Sequence, residues 1–212
     1  GFYKYPATTN PYQITNEGEI TVGTSTDNLY YVPSGSGGSW NGDGLGPIPS
    51  SFPKGYNAFY CMKYEITQQG YVNFLNSLTQ TQATVRKYST SLYRYAITGN
   101  TVGSYSTNNP YLPCNYLLWS DFAAYLDWCG LRPMTELEFE KACRGTLAPV
   151  PNEYAWGSIS VAINPYALSD IGKNDEGIST NFNTTDGNAT NYSTAWLAGF
   201  QGPVRVGIFA GN

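Results

Sequence analysis

Histidine is absent from all 212 residues of this chain. That removes Ser-His-Asp and Cys-His nucleophile pairs, His-ligated zinc and imidazole acid–base chemistry together. Charge is scarce as well, at 12% of residues, about half the share usual in soluble domains. The 11 Lys and Arg residues form no stripe and leave a formal net charge of −4, which speaks against phosphate neutralisation and hence against nucleic acid as a partner. No apolar run approaches the roughly 18 residues of a membrane span. Cysteine is limited to Cys61, Cys114, Cys129 and Cys143, with no CxxC among them, so a Cys-type zinc site is not expected. Their even number permits disulfides in three full pairings, none chosen by spacing, or free thiols buried on strand and helix faces.

What is present in quantity is tyrosine (19) and glycine (23), within a chain that is 16% aromatic and 41% hydrophobic. That apolar content can bury ample surface, so the chain is expected to be ordered. Polarity carried by Tyr, Thr, Ser and Asn rather than by charge fits an extracellular or cell-surface protein. A first residue Gly1 rather than Met suits a processed chain or a fragment.

Residues 1–55 read as an amino-terminal arm. Tyr12–Thr15 and Glu19–Val22 alternate as short strands, and Pro33–Pro49 is a Gly-rich loop without the ending of a phosphate-binding loop. Residues 56–212 read as one α+β domain. Residues 58–66 alternate as a buried strand, and Thr67 caps a helix with Tyr71, Phe74, Leu75 and Leu78 on one face. Thr79–Pro113 reads as loops and short strands. A second helix starts near Ser120 and stops at Gly130. A third opens on the capping box Thr135-Glu136-Leu137-Glu138 and ends at Gly145, with Glu140 and Arg144 paired at i,i+4. Pro203–Phe209 alternates as a final strand.

These elements carry an ordered series of motifs. Lys63-Tyr64-Glu65-Ile66-Thr67 precedes an amphipathic helix, and Trp119-Ser120-Asp121 is followed by Ala124-Tyr125 and Trp128. Arg132 to Glu140 (RPMTELEFE), Ala142-Cys143-Arg144-Gly145, Ala155-Trp156-Gly157 and Gly202-Pro203-Val204 complete the series. Over residues 56–212 it resembles the formylglycine-generating enzymes, the sulfatase-modifying factors. The resemblance implies a C-type-lectin-like domain with two or three short helices, small antiparallel sheets and much irregular loop. Members oxidise a sulfatase cysteine to formylglycine with copper and O₂, using a cysteine pair in their C-terminal half. That half has no counterpart here, and none of the four cysteines falls on a matching position. No catalytic or cofactor-binding residue carries over, and Ala198 stands where the family's calcium site takes an Asp.

Other candidates come from the residues themselves. Glu136, Glu138 and Glu140 form the densest acid cluster, which serves the helix cap and dipole better than glycosidase chemistry. Asn174-Asp175-Glu176 and Asn41-Gly42-Asp43-Gly44 offer oxygens to Ca²⁺ without EF-hand spacing; a solvated loop is preferred, and no metal residue is assigned. Asn183, Asn188 and Asn191 head three N-x-[ST] glycosylation acceptors. Trp119, Trp128, Tyr60, Tyr64 and Tyr71 are expected in the core. Tyr30, Tyr31, Trp40, Tyr105 and Tyr111, with the edge residues Val204, Val206 and Ile208, are the interface candidates. The expected function is a non-catalytic, extracellular structural or interaction protein that self-assembles or docks a partner chain. The alternatives are an N-terminal fragment of a copper-dependent formylglycine-generating oxidase, and a lectin-like module that binds glycans.

Overall fold

The computed structural model describes residues 2–30, 46–162, 164, 166–182, 187–188 and 201–210. Among them the elements run β1 (Tyr3–Lys4), β2 (Ala7–Pro11), β3 (Leu29–Tyr30), α1 (Gln68–Ser77), α2 (Gln80–Arg86), β4 (Ile97–Thr98), β5 (Ser106–Thr107), α3 (Trp119–Trp128), α4 (Glu136–Arg144), β6 (Ala167–Ser169) and β7 (Gly177–Thr180). All three sheets are small and antiparallel, ordered β2-β1-β3, β4-β5 and β6-β7. The class is α+β, as expected, with four helices among the described residues rather than two or three. The additional one is α2, in the stretch read as loop. Its start is a capping box, Thr79 with Gln82, that the polar composition obscured.

The chain divides into two compact units. One comprises Gly1–Cys61 with Met134–Ile159, the other Met62–Pro133 with Ser160–Asn212. In the first, Ile20, Val22 and Leu29 pack with Leu137 of α4. Thr135 opens α4 by the expected reciprocal bonds: its Oγ1 accepts from Glu138 N at 3.1 Å, and Glu138 Oε2 accepts from Thr135 N at 2.9 Å. Thr135 Oγ1 also donates to the Pro53 carbonyl at 2.8 Å, tying the helix start to the amino-terminal residues. Gly145 ends the helix at φ +72°, and Arg144 pairs with Glu140 at 3.2 Å and with Glu153. Glu138 is therefore buried in the cap and Glu140 paired, while Glu136 is exposed in the first turn of the helix. Beneath the 49–54 turn, the buried Lys54 ammonium donates to the carbonyls of Phe52 (2.7 Å), Pro49 (2.8 Å) and Glu17 (3.3 Å), using all three of its protons.

In the second unit, Thr67 caps α1 by accepting from Gly70 N at 3.0 Å. The stripe Tyr71, Val72, Phe74 and Leu75 is buried against Tyr125 and Leu126 of α3, with Tyr95, Ile97 and Tyr105. Phe74 meets the Tyr125 ring edge to face, centroids 5.6 Å apart. α3 begins one residue before Ser120. Leu118 is its cap residue, because Asp121 reaches back to accept the Leu118 N–H at 3.1 Å. Its end is as read: Gly130 at φ +72° with Leu131 N donating to Leu126 O at 2.8 Å, the two marks of a left-handed helix stop.

Several expectations fail for one reason. Alternation alone does not make a strand without a partner to complete its ladder. Tyr12–Thr15 is extended coil, and Ile20 and Val22 form only isolated bridges. Residues 58–66 form no strand: Tyr60 is 94% exposed, and among the described residues the segment's backbone bonds only at its end, where Cys114 N donates to Ile66 O at 2.7 Å. Residues 206–210 are turns. Val204 and Ile208 are buried and Val206 half-buried, so these three present no free strand edge to a neighbour.

Candidate functional site

In the second unit, three loops converge on Arg94. Its guanidinium pairs with Glu176, whose carboxylate also accepts the backbone N–H of Gly172 (2.7 Å) and of Arg205 (2.9 Å). Arg94 donates further to the Pro203 carbonyl at 2.6 Å, and Arg205 Nε to the Glu176 carbonyl at 2.6 Å. Glu176 is wholly buried. Burial pushes its carboxyl up, but the Arg94 charge and the two N–H donors outweigh that and leave its pKa below the ordinary value. This corrects the solvated-loop reading for Glu176, whose oxygens are committed to protein donors, while Asn174 and Asp175 are exposed as expected.

The clamp holds an unusual backbone. Tyr93 (φ +52°), Arg94 (φ +66°) and Tyr116 (φ +60°) all occupy the left-handed region, which bulky residues avoid and which concentrates at functional sites. The Arg94 carbonyl accepts from Gln68 Nε2 and Asn109 Nδ2, each at 2.9 Å, and the Tyr93 carbonyl from Asn115 Nδ2 at 3.0 Å. Gly202 packs so tightly on Tyr93 that a Cβ there would lie 2.3 Å from its carbonyl oxygen.

These bends place tyrosine rings side by side. Tyr88 and Tyr116 lie parallel, centroids 4.7 Å apart at 3°, and Tyr93 stacks on Tyr116 at 6.4 Å and 25°. Buried Tyr95 supports Tyr116 edge-on at 5.9 Å. Tyr88 and Tyr93 remain 49% and 44% exposed. Nearby on the same unit, Trp119 at the start of α3 is 70% exposed and touches Phe122 at 5.6 Å.

The residues singled out from sequence fall differently. Of the five aromatics expected in the core, only Tyr71 is buried; Tyr60, Tyr64, Trp119 and Trp128 are exposed, because strand alternation and helix periodicity mark a face without saying what covers it. Tyr105, read as an interface residue, is 4% exposed and sits in the core. Tyr111 is exposed, and Tyr30 is half-buried with its ring edge on Tyr5. Tyr31, Trp40, Asn183, Asn191 and Asn41–Gly44 lie outside the described residues. Asn188 is half-buried, and its Oδ1 accepts from the Tyr166 hydroxyl at 3.2 Å. The stacked tyrosines were missed, since ring stacking between residues 88, 93 and 116 leaves no periodic trace. The one signal was the Tyr-rich, uncharged stretch Tyr88–Tyr93.

A family model described as the sulfatase-modifying factor enzyme 1-like domain matches residues 14–200. The chain belongs to this family. Two curated relatives of the domain are formylglycine-generating enzymes. That of Streptomyces coelicolor is 45% identical over 51 residues, covering 24% of this chain and 16% of the relative. That of Thermomonospora curvata is 41% identical over 56 residues, covering 26% and 18%. The match thus spans less than a fifth of either relative's length. No solved structure matches the chain.

Copper in such an enzyme needs a pair of thiolates, and the four cysteines of this domain are free thiols. Cys61, Cys129 and Cys143 are exposed. Burial, together with the Asp121 charge, pushes the Cys114 thiol up to about 12, far from thiolate at neutral pH. Among the described residues no group of three or more Cys, Asp or Glu could hold a metal ion.

Proposed function

We propose that the chain is a non-catalytic interaction module, in which a C-type-lectin-like frame of the sulfatase-modifying family presents an aromatic surface to a partner. The observation that carries this reading is the half-exposed stack of Tyr88, Tyr116 and Tyr93, mounted on three left-handed backbone positions and clamped from below by Arg94 and Glu176. Rigid, amphipathic rings with polar tips are the side chains that binding surfaces favour, since little entropy is lost on docking. The low charge and Tyr, Thr and Asn richness support a setting outside the cell or at its surface. A second copy of the chain is one partner this surface could take.

The name of the two relatives favours a second reading, in which the chain is a portion of a formylglycine-generating enzyme. One experiment tests the first. The purified chain is incubated with a sulfatase-derived cysteine peptide, copper, reductant and O₂, and the peptide is weighed by mass spectrometry. The module reading expects no aldehyde above a protein-free control. Aldehyde formation that depends on the chain overturns it.

A further inference from the structure

Arg205 carries a charge that no carboxylate answers. Glu176 takes its countercharge from Arg94 and accepts from Arg205 only the backbone N–H. The Arg205 guanidinium donates to two carbonyls instead, Nε to Glu176 O at 2.6 Å and Nη1 to Val206 O at 3.1 Å. Those bonds fix the group in place, and among the described residues Nη2 makes none. Two arginines around one carboxylate leave a single positive charge, half-buried in the case of Arg205. Partial desolvation makes such a charge costly until an anion meets it.

Arg205 lines a cleft of about 380 Å³ within the second unit, a volume in the range of small-ligand sites. Lys63 lines it as well. Its ammonium stands 5.4 Å from the centre of the Tyr64 ring, and that ring packs so closely on Gly207 that a Cβ there would lie 2.7 Å from it. Among the described residues neither the Lys63 ammonium nor the Arg205 guanidinium has a carboxylate partner. Glu65, exposed and also outside any ion pair, is the third charge of the lining. Much of the remaining wall is apolar, with Pro113, Val204, Ile208 and Phe209.

That balance selects a ligand. Two cations against one carboxylate accept one negative charge, whereas a phosphomonoester brings about −1.5 to −2 and meets Glu65. A planar guanidinium with donors to spare suits a carboxylate, and the apolar wall suits the body that bears it. We propose that this cleft binds a singly charged carboxylate on an apolar body. A free alkanoic or aryl-alkanoic acid and the C-terminus of an apolar peptide both offer that chemistry. The site does not use the tyrosine stack, so its loss leaves the module reading as it stands.

The test is titration of the isotope-labelled full chain, followed by amide chemical shifts, with octanoate, phenylpropionate and acetyl-Leu-Phe bearing a free C-terminus. Saturable shifts at the residues lining the cleft are expected for at least one, with Kd below about 1 mM. Binding of either free acid assigns a small carboxylate; binding of the peptide alone assigns a chain terminus. Arg205→Gln should weaken binding by about tenfold or more, the worth of a hydrogen bond to a charged group. Lys63→Met should weaken it severalfold and Glu65→Gln should strengthen it. Lys63 is exposed, so Lys63→Met with an otherwise unchanged amide spectrum reads the charge rather than the fold. Four results overturn the proposal: no saturable shift with any of the three, equal binding of the matching neutral amides, undiminished binding by Lys63→Met, or tighter binding of a phosphomonoester of the same apolar body.

Discussion

Glu176 shows how much one side chain can organise. Its carboxylate gathers Arg94, Gly172 and Arg205, three positions far apart in sequence, at a point with no access to water. Removing one partner from such a buried pair strands the other charge, a cost of about 3–5 kcal/mol. Glu176→Gln, which keeps shape and loses charge, should lower the stability of the second unit by that order, read as a shift in the urea midpoint. An unchanged midpoint would mean that Arg94 finds other acceptors. None of this was visible in the string Asn-Asp-Glu at 174–176. An acidic tripeptide beside glycine reads as solvated loop until the arginines that reach it are located.

Helix caps are the elements whose chemistry is local, and they were the most legible. Thr67 and Thr135 behave as read, because a cap hydroxyl meets an N–H three residues ahead; Gly145 ends α4 at positive φ as glycine allows, but at ψ −140° it stands outside the αL position expected of it. The same rule covers Thr79 and Gln82, whose box was present in the sequence and passed over. Thr79→Ala and Thr135→Ala should each cost about 1 kcal/mol of cap energy. Thr135→Ala should cost more, since that hydroxyl also serves the Pro53 carbonyl. Equal losses in denaturant melts would show that the link to Pro53 contributes nothing. Strands fared worse for the complementary reason. A ladder lives between segments, and 58–66 and 204–209 alternate without finding one.

At the scale of the whole molecule, ionisable groups set the pH range of stability. Burial raises the Glu17 carboxyl, but the N–H donors of Asn57 and Lys54 win, so it titrates low, as Glu176 does. A depressed carboxyl contributes fully above its unfolded value, about 4.3, and loses that contribution as pH falls through the folded one. On the alkaline side, burial raises Tyr71, Tyr95 and Tyr125, the last to about 12. Their contribution is present below about pH 10 and is lost as pH rises through the folded values. Cys114 adds to the alkaline loss earlier, because its raised thiol counts from the ordinary thiol value of about 8.5 upward. Urea midpoints should therefore hold a plateau from about pH 5 to 8.5 and fall on both sides, with Glu176→Gln shallower on the acid side. Constant stability down to pH 3 would contradict this account.

By itself the sequence determined the α+β class, three of the four helix starts to within a residue or two, the family, and the exclusion of imidazole chemistry. Each of these depends on near neighbours or on composition. Only the tertiary structure decided which aromatic rings are covered, which carboxylate is buried and which tyrosines stack. Burial and stacking are set by segments that meet from opposite parts of the chain, as residues 93, 116, 176 and 205 do, and no local pattern records that meeting.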